Sequence, residues 1–273
     1  MTTTLRPTAP EQRTDDGSRS RPYEVCVNSR RVGTIDISTD PRLGPAFGRI
    51  THLAINERDR HRGRATVAAL AAEEVLRGWG CRQVAVSVPA SAGTALGLAG
   101  ALGYTERSRT LSKPLDRAPA LPDGSVPRPM GEAEFGPWSA HSRERNAGEW
   151  ADRGVPRPQA QAKAERDHAD LLPRGAASPG AVLRVLAHHG EDVGTLWLGR
   201  RDGAPYVYDV EVAGAHRGRG HGRTLMLLAE REALAAGAAT LGLNVFAGNT
   251  AALRLYASLG YRPTAFHLYK TLL

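Results

Sequence analysis

Two stretches of this chain repeat each other at a fixed distance, and that constrains the fold more than anything else in it. Arg60-His61-Arg62-Gly63-Arg64-Ala65 aligns with Arg217-Gly218-Arg219-Gly220-His221-Gly222, 157 positions on; Gly103-Tyr104 and Gly260-Tyr261 are again 157 apart. Nothing is therefore inserted or deleted between these blocks. The ends agree as well: Leu111-Ser112-Lys113-Pro114-Leu115 matches Leu268-Tyr269-Lys270-Thr271-Leu272. Upstream, Val32-Gly33-Thr34 echoes Val193-Gly194-Thr195 at an offset of 161, so a loop is longer in the first copy. Two copies are too few for a solenoid, which needs three or more to bury a continuous core. A tandem pair of domains is expected.

In the second copy, the glycine-rich stretch follows an apolar run, Tyr206–Val212, and precedes a helix-like run, Thr224–Ala236. A strand that turns through glycines into a helix can cradle a phosphate, because the backbone approaches closely and the first helical N–H groups point at the anion. The spacing Gly218, Gly220, Gly222 is not the dinucleotide fingerprint, the next strand-like run (Leu241–Phe246) ends without an acid, and the Walker Lys-Ser/Thr is absent. Downstream stands Asn249-Thr250-Ala251-Ala252-Leu253-Arg254-Leu255-Tyr256, closed by Gly260-Tyr261.

Together the two blocks resemble the GNAT superfamily of acetyl-CoA-dependent N-acetyltransferases. Arg217, Gly220 and Gly222 match the family's first block, and Asn249, Tyr256, Gly260 and Tyr261 match its second. The resemblance implies an α/β fold of two tandem GNAT-like domains, each a mixed, mostly antiparallel sheet flanked by helices. It implies acetyl-CoA as cosubstrate, held by Arg217, Gly218, Arg219, Gly220, His221, Gly222, Arg223 and Asn249, with a backbone N–H of Val210 or Val212 polarising the thioester. Tyr256 is the implied general acid. The amine must shed a proton, since an alkylammonium has a pKa of about 10. Asp209 and Glu211, two apart on one strand, face the same side and are the candidate bases, Glu211 slightly favoured. A strand bulge would alter which of them faces the acceptor.

The copies are not equivalent. At the offset of 157, Asn249 becomes Ala92, Tyr256 becomes Ala99, Glu211 becomes Ala54 and Asp209 becomes His52. The first copy keeps the outline of a second cofactor cradle at Arg60, Gly63 and Ala65, and loses the proton-handling groups. The expected organisation is a disordered polar tail over 1–22, a truncated, degenerate domain over 23–116, a Pro-rich linker over 117–129 and a complete acetyltransferase domain over 130–273. The chain would then move an acetyl group to a primary amine of a small molecule or a protein. A non-enzymatic acetyl-CoA sensor is the alternative from another class.

The net charge is +8, and almost all the positive charge is Arg. The arginines are scattered and aromatics are 5%, which disfavours a nucleic-acid partner. Cys26 and Cys81 form no metal or redox motif, so reduced thiols and no metal are expected. No apolar run approaches the roughly twenty residues that span a bilayer, and no secretory pattern opens the chain; a cytoplasmic protein without membrane contact is expected.

Overall fold

The structure is a computed structural model and describes residues 3–272. In chain order the first half forms β1 (Thr3–Pro7), β2 (Gln12–Arg13), β3 (Arg19–Val27), β4 (Arg30–Asp40), β5 (Gly44–Ile55), α1 (Arg64–Gly78), β6 (Gln83–Pro89), α2 (Gly93–Ala101) and β7 (Thr105–Pro114). The second half forms β8 (Ser125–Pro129), α3 (Glu132–Ala151), α4 (Arg157–Leu171), β9 (Val182–His188), β10 (Glu191–Arg201), β11 (Ala204–Val212), α5 (His221–Ala235), β12 (Thr240–Phe246), α6 (Thr250–Ser258) and β13 (Arg262–Thr271). The expected fold class holds: each half builds a mixed sheet flanked by helices.

The chain divides into two compact units, and the division corrects the expected boundaries. Unit 1 is Met1–Arg107 with Ala265–Leu273; unit 2 is Ser108–Thr264. The last strand of each half is therefore exchanged. In unit 1 the order is β1-β3-β4-β5-β6-β13, with β2 on β3; in unit 2 it is β7-β12-β11-β10-β9-β8. β13 runs antiparallel to β6 (Ala265↔Pro89 to Thr271↔Gln83), and β7 runs antiparallel to β12 (Thr240↔Pro114 to Phe246↔Ser108). The parallel pairs are β5 with β6 and β11 with β12, each bridged by the helix that follows the glycine turn.

A matching charge pair marks each exchanged strand. In unit 1, Lys270 Nζ donates to the buried Glu73 Oε2 at 2.6 Å, and the Tyr104 hydroxyl donates to Glu73 Oε1 at 3.0 Å. In unit 2, Lys113 Nζ donates to both oxygens of the buried Glu230 at 2.8 Å and lies 5.8 Å from the Tyr261 ring centroid. Glu73 and Glu230, like Lys113 and Lys270, are 157 positions apart, so each lysine serves the glutamate of the other repeat.

The tail expected to be disordered is ordered where it is described. β1 pairs along β3 from Thr3↔Val27 to Pro7↔Tyr23, and Leu5 packs against the unit 1 core. Thr3 and Leu5 are half-buried while Thr4 and Arg6 are exposed, the alternation of a half-buried strand. The expected linker also contains a strand, β8, at the sheet edge; its Pro127 and Pro129 cost nothing there, since an edge strand need not donate on its outer side.

Unit 1 is covered on one sheet face by α1 and α2, through Ala68, Ala72, Leu76 and Ala99. Unit 2 has two apolar layers. Leu225, Met226, Leu228 and Ala229 of α5 pack with Leu196, Val207 and Leu243 on one face. Trp138 of α3 packs with Leu183, Val185 and Trp197 on the other, the Trp138 and Trp197 rings meeting edge-on at 5.6 Å. Cys26 and Cys81 are buried free thiols, and burial pushes the Cys81 pKa up to about 11. Among the described residues no helix is long and apolar enough to cross a membrane, and no cluster of three or more His, Cys, Asp or Glu could hold a metal.

The exchange makes a specific thermodynamic prediction. Lys270→Met leaves a buried carboxylate unpaired in unit 1 and should cost about 3 kcal/mol. A double-mutant cycle by denaturant unfolding should show strong coupling of Lys270 with Glu73 and none with Glu230. Coupling to Glu230 instead would refute the exchange.

Candidate active site

β11 carries the site because two features break its regularity. The first is a bulge: Trp197 pairs with Asp209, but Leu198 pairs with Val207, so Tyr208 is the extra residue. Val207 packs in the α5 layer and Tyr208 against the α3 layer. Without the bulge Asp209 would follow Val207 toward α5. With it, Asp209 and Glu211 both turn toward α3, while Val210 and Val212 join the α5 layer.

The second feature is divergence. β11 pairs with β12 at Tyr206↔Gly242 and Val207↔Leu243, then runs on to Val212 without further pairing to it among the described residues. The Ala213 N–H donates to Val193 O at 3.0 Å, on the β10 side. Alternate residues of a strand send their N–H groups the same way, so Val210 and Val212 direct theirs into the opening left by β12. Gly194 lets β10 approach here: a Cβ on it would stand 2.3 Å from the Glu211 carbonyl oxygen. The β5–β4 contact repeats the pattern, with Thr51 as the extra residue and a Cβ on Gly33 standing 2.2 Å from Ala54 O.

The turn into α5 is left-handed at Gly218 (φ 77°) and Gly220 (φ 89°), and Gly220 precedes the first helical residue. The space around both glycines is open, so the turn's N–H groups can face an anion. The side chains of the expected phosphate ligands divide. Arg217 folds back, its Nε donating to Val212 O at 3.1 Å; Arg223 Nη2 donates to Ser258 Oγ at 2.6 Å and ties α5 to α6. Arg219 is exposed. The His221 ring is buried, 4.9 Å from His188 and 6.2 Å from His216, and burial together with these neighbours lowers its pKa. Backbone groups, with Arg219, are what this turn offers a phosphate. Asn249 caps α6, its Oδ1 accepting from the Ala252 N–H at 3.1 Å. Gly222 lies under α6, where a Cβ would meet Leu255 at 3.4 Å.

The residue missing from the sequence reading is Arg145 of α3. Its guanidinium spans the two strand carboxylates, bonding Asp209 Oδ1 through Nη2 and Glu211 Oε2 through Nη1. Glu211 Oε1 is also taken, by His141 Nε2 at 2.9 Å. Asp209 Oδ2 is buried without a hydrogen-bond partner. The two acids consequently separate. Burial raises the Asp209 pKa, with Arg145 opposing. For Glu211 burial also acts upward, but His141 and Arg145 together outweigh it and the pKa falls below the ordinary carboxylate value. Burial raises Glu149 of α3 too, and its carboxylate makes no ion pair among the described residues. Tyr256 is held neutral, its pKa pushed up to about 12 by burial and then by Asp209 and Glu149. Asp209, Glu149 and Tyr256 thus share one electrostatic environment. His141, Arg145 and Glu149 recur every four residues, which places them on one helical face; that spacing was the available signal.

In unit 1 the turn survives. Gly63 (φ 69°) precedes α1, His61 takes the left-handed place of Gly218 (φ 58°), and Arg60 Nε donates to Ile55 O at 3.0 Å as Arg217 does to Val212. Ala65 stands where Gly222 stands. β5 leaves β6 after Ile50↔Val86, giving the same opening. The groups beside it differ. Ala99 is buried in the core, Ala92 caps nothing, and His52 bonds Thr34 at 3.2 Å.

Comparison with known proteins agrees with this architecture. A model of the acetyltransferase (GNAT) family matches residues 3–104 and again 145–261. The uncharacterized N-acetyltransferase YycN of Bacillus subtilis (strain 168) is 30% identical over 150 residues, covering 53% of this chain and 96% of the relative. A GCN5-related N-acetyltransferase from Sphaerobacter thermophilus is similar in fold, with a TM-score of 0.60 and 20% identity over 92% of this chain and 80% of that one. A tandem GNAT protein from the clavulanic acid biosynthesis pathway is similar over 93% of this chain and 83% of its own, with a TM-score of 0.55 and 17% identity. With the family's motif present twice and its sheet built twice, the chain belongs to the acetyltransferase (GNAT) family.

Proposed function

We propose that the protein transfers an acetyl group from acetyl-CoA to a primary amine, of a small molecule or a protein, and that the chemistry takes place in unit 2. The observation that carries this reading is the trio beside the strand opening: free N–H groups on Val210 and Val212, the unpartnered Asp209 Oδ2, and a neutral Tyr256. The turn at Gly218–Gly222 would receive the pyrophosphate, and the Val210 or Val212 N–H the thioester oxygen. Such a donor stabilises the transition state by about 3–4 kcal/mol.

The acceptor arrives as an ammonium and must lose a proton. Asp209 is the better base of the two acids, because Glu211 has both oxygens occupied and a lowered pKa. Asp209 takes the proton and passes it to solvent. The neutral nitrogen then forms the C–N bond and the C–S bond breaks. Tyr256 protonates the departing thiolate and recovers a proton from the cationic nitrogen of the intermediate, so the sums balance to amide and free thiol. Glu149 keeps the pocket favourable to a cation.

Unit 1 would do no chemistry, because Ala54, Ala92 and Ala99 replace the acting groups. Its turn at Arg60, Gly63 and Ala65 supports a retained cofactor cradle, and calorimetric stoichiometry near two acetyl-CoA per chain is the expected sign of it; a value near one would remove that second site.

Gly220→Asp puts bulk and negative charge where the pyrophosphate would sit. Acetyl-CoA affinity should fall at least tenfold by calorimetry, and unchanged affinity would exclude the turn as the phosphate site. Tyr256→Phe should lower kcat by about 10²–10⁴-fold with little change in acetyl-CoA affinity. A folded Tyr256→Phe variant with wild-type turnover in thiol-release assays, under conditions where chemistry limits the rate, would rule out the proton donor.

A further inference from the structure

We infer that Arg145 is a positioning residue for the base: its guanidinium holds Asp209 by one oxygen and Glu211 by another, so that Asp209 Oδ2 alone is presented to the acceptor amine. This role presupposes the acetyl-transfer chemistry proposed above.

The geometry restricts the outcome. A guanidinium has five N–H donors in a rigid fork, and here two of its arms go to two different carboxylates. Two carboxylates two residues apart on one strand repel each other, which without a cation favours protonation of one of them. Arg145 removes that repulsion by standing between them. His141 then occupies the remaining side of Glu211. Each oxygen in the pair is accounted for except Asp209 Oδ2, which is buried without a partner. A buried unpaired carboxylate oxygen is costly, and an ammonium entering the pocket satisfies it.

The groups facing the pair come from three elements: His141 and Glu149 from α3, Asp209 and Glu211 from β11, and Tyr256 from α6, with Arg153 and Asp152, just beyond the end of α3, acting on Glu149. Arg145 is the cation that opposes the rise of the Asp209 pKa most strongly. Its removal therefore has a determined sign. Asp209 retains its proton to higher pH, and the acidic limb of the rate profile moves up.

The test uses the full chain. Arg145→Gln removes the charge and Arg145→Lys keeps the charge but loses the two-armed grip. For Arg145→Gln, the acidic limb of kcat/KM for a primary amine should rise by about one pH unit or more, while KM for acetyl-CoA stays put. For Arg145→Lys, the limb should move less, while kcat falls roughly tenfold to a hundredfold from misplacement alone. A residue that merely braces α3 would lower the melting temperature and leave the limb where it is. Carbon-13 titration of the Asp209 carboxyl in both variants reads the same effect without turnover. An unmoved Asp209 titration in a folded variant, or a shift confined to Glu211, overturns the assignment. Absence of thiol release from the wild type with every amine tried would remove the acetyl-transfer reading instead, and the titration would still decide whether Arg145 governs Asp209.

Discussion

One extra residue in β11 governs the site. Because Tyr208 is inserted opposite the Trp197–Leu198 step, the side chains after it change face. A regular strand would bury Asp209 in the apolar α5 layer, where a carboxylate has no partner. The bulge turns Asp209 and Glu211 toward α3 and its cations, and it turns the Val210 and Val212 side chains into the core. It also increases the local twist, consistent with the parting of β11 from β12 a few residues on. The same insertion at Thr51 in unit 1, with the same parting of β5 from β6, shows that it belongs to the scaffold and not to the acids.

The contrast between the units separates scaffold from chemistry. Both have the bulge, the glycine beneath it, the left-handed turn and an arginine folded onto the end of the strand. These depend on backbone geometry, and the residues that permit it are retained: Gly33 and Gly194, Gly63 and Gly220. The polar groups have gone from one unit alone. Where unit 2 places Tyr256, partly buried beside two carboxylates, unit 1 places Ala99 in a wholly apolar setting. The Ala99 side chain carries no polar atom and fills the core of unit 1.

Much of this was legible in the sequence. The repeat offset, the glycine turns and the Asn249–Tyr256 helix depend on local residue types with few structural solutions. What escaped depends on partners distant in the chain. β1 is rich in Thr and has few apolar residues, so its order comes from pairing with β3. Strands β7 and β13 are similar in sequence, each with a lysine one residue before its end, and either fits beside either β6 or β12; pattern cannot say which. Arg145 reads as one charge among many on a polar helix until β11 supplies the two acids that it meets. Asp209 and Glu211 are likewise told apart only by their hydrogen-bond partners, which strand periodicity does not contain.

The exchanged strands also set an order on biosynthesis. A chain made from its N-terminus has residues for β1 to β6 early, but the strand that completes that sheet, from Ala265 onward, emerges only after all of unit 2. Until then β6 presents an unpaired edge with Val84, Val86 and Val88 on it, the kind of edge that invites pairing with another chain. Unit 2 needs only residues 108 to 264 and can close first. The nascent first half is thus held open until the whole of unit 2 has been made, and a chain cut off before Ala265 carries one finished sheet and one exposed edge.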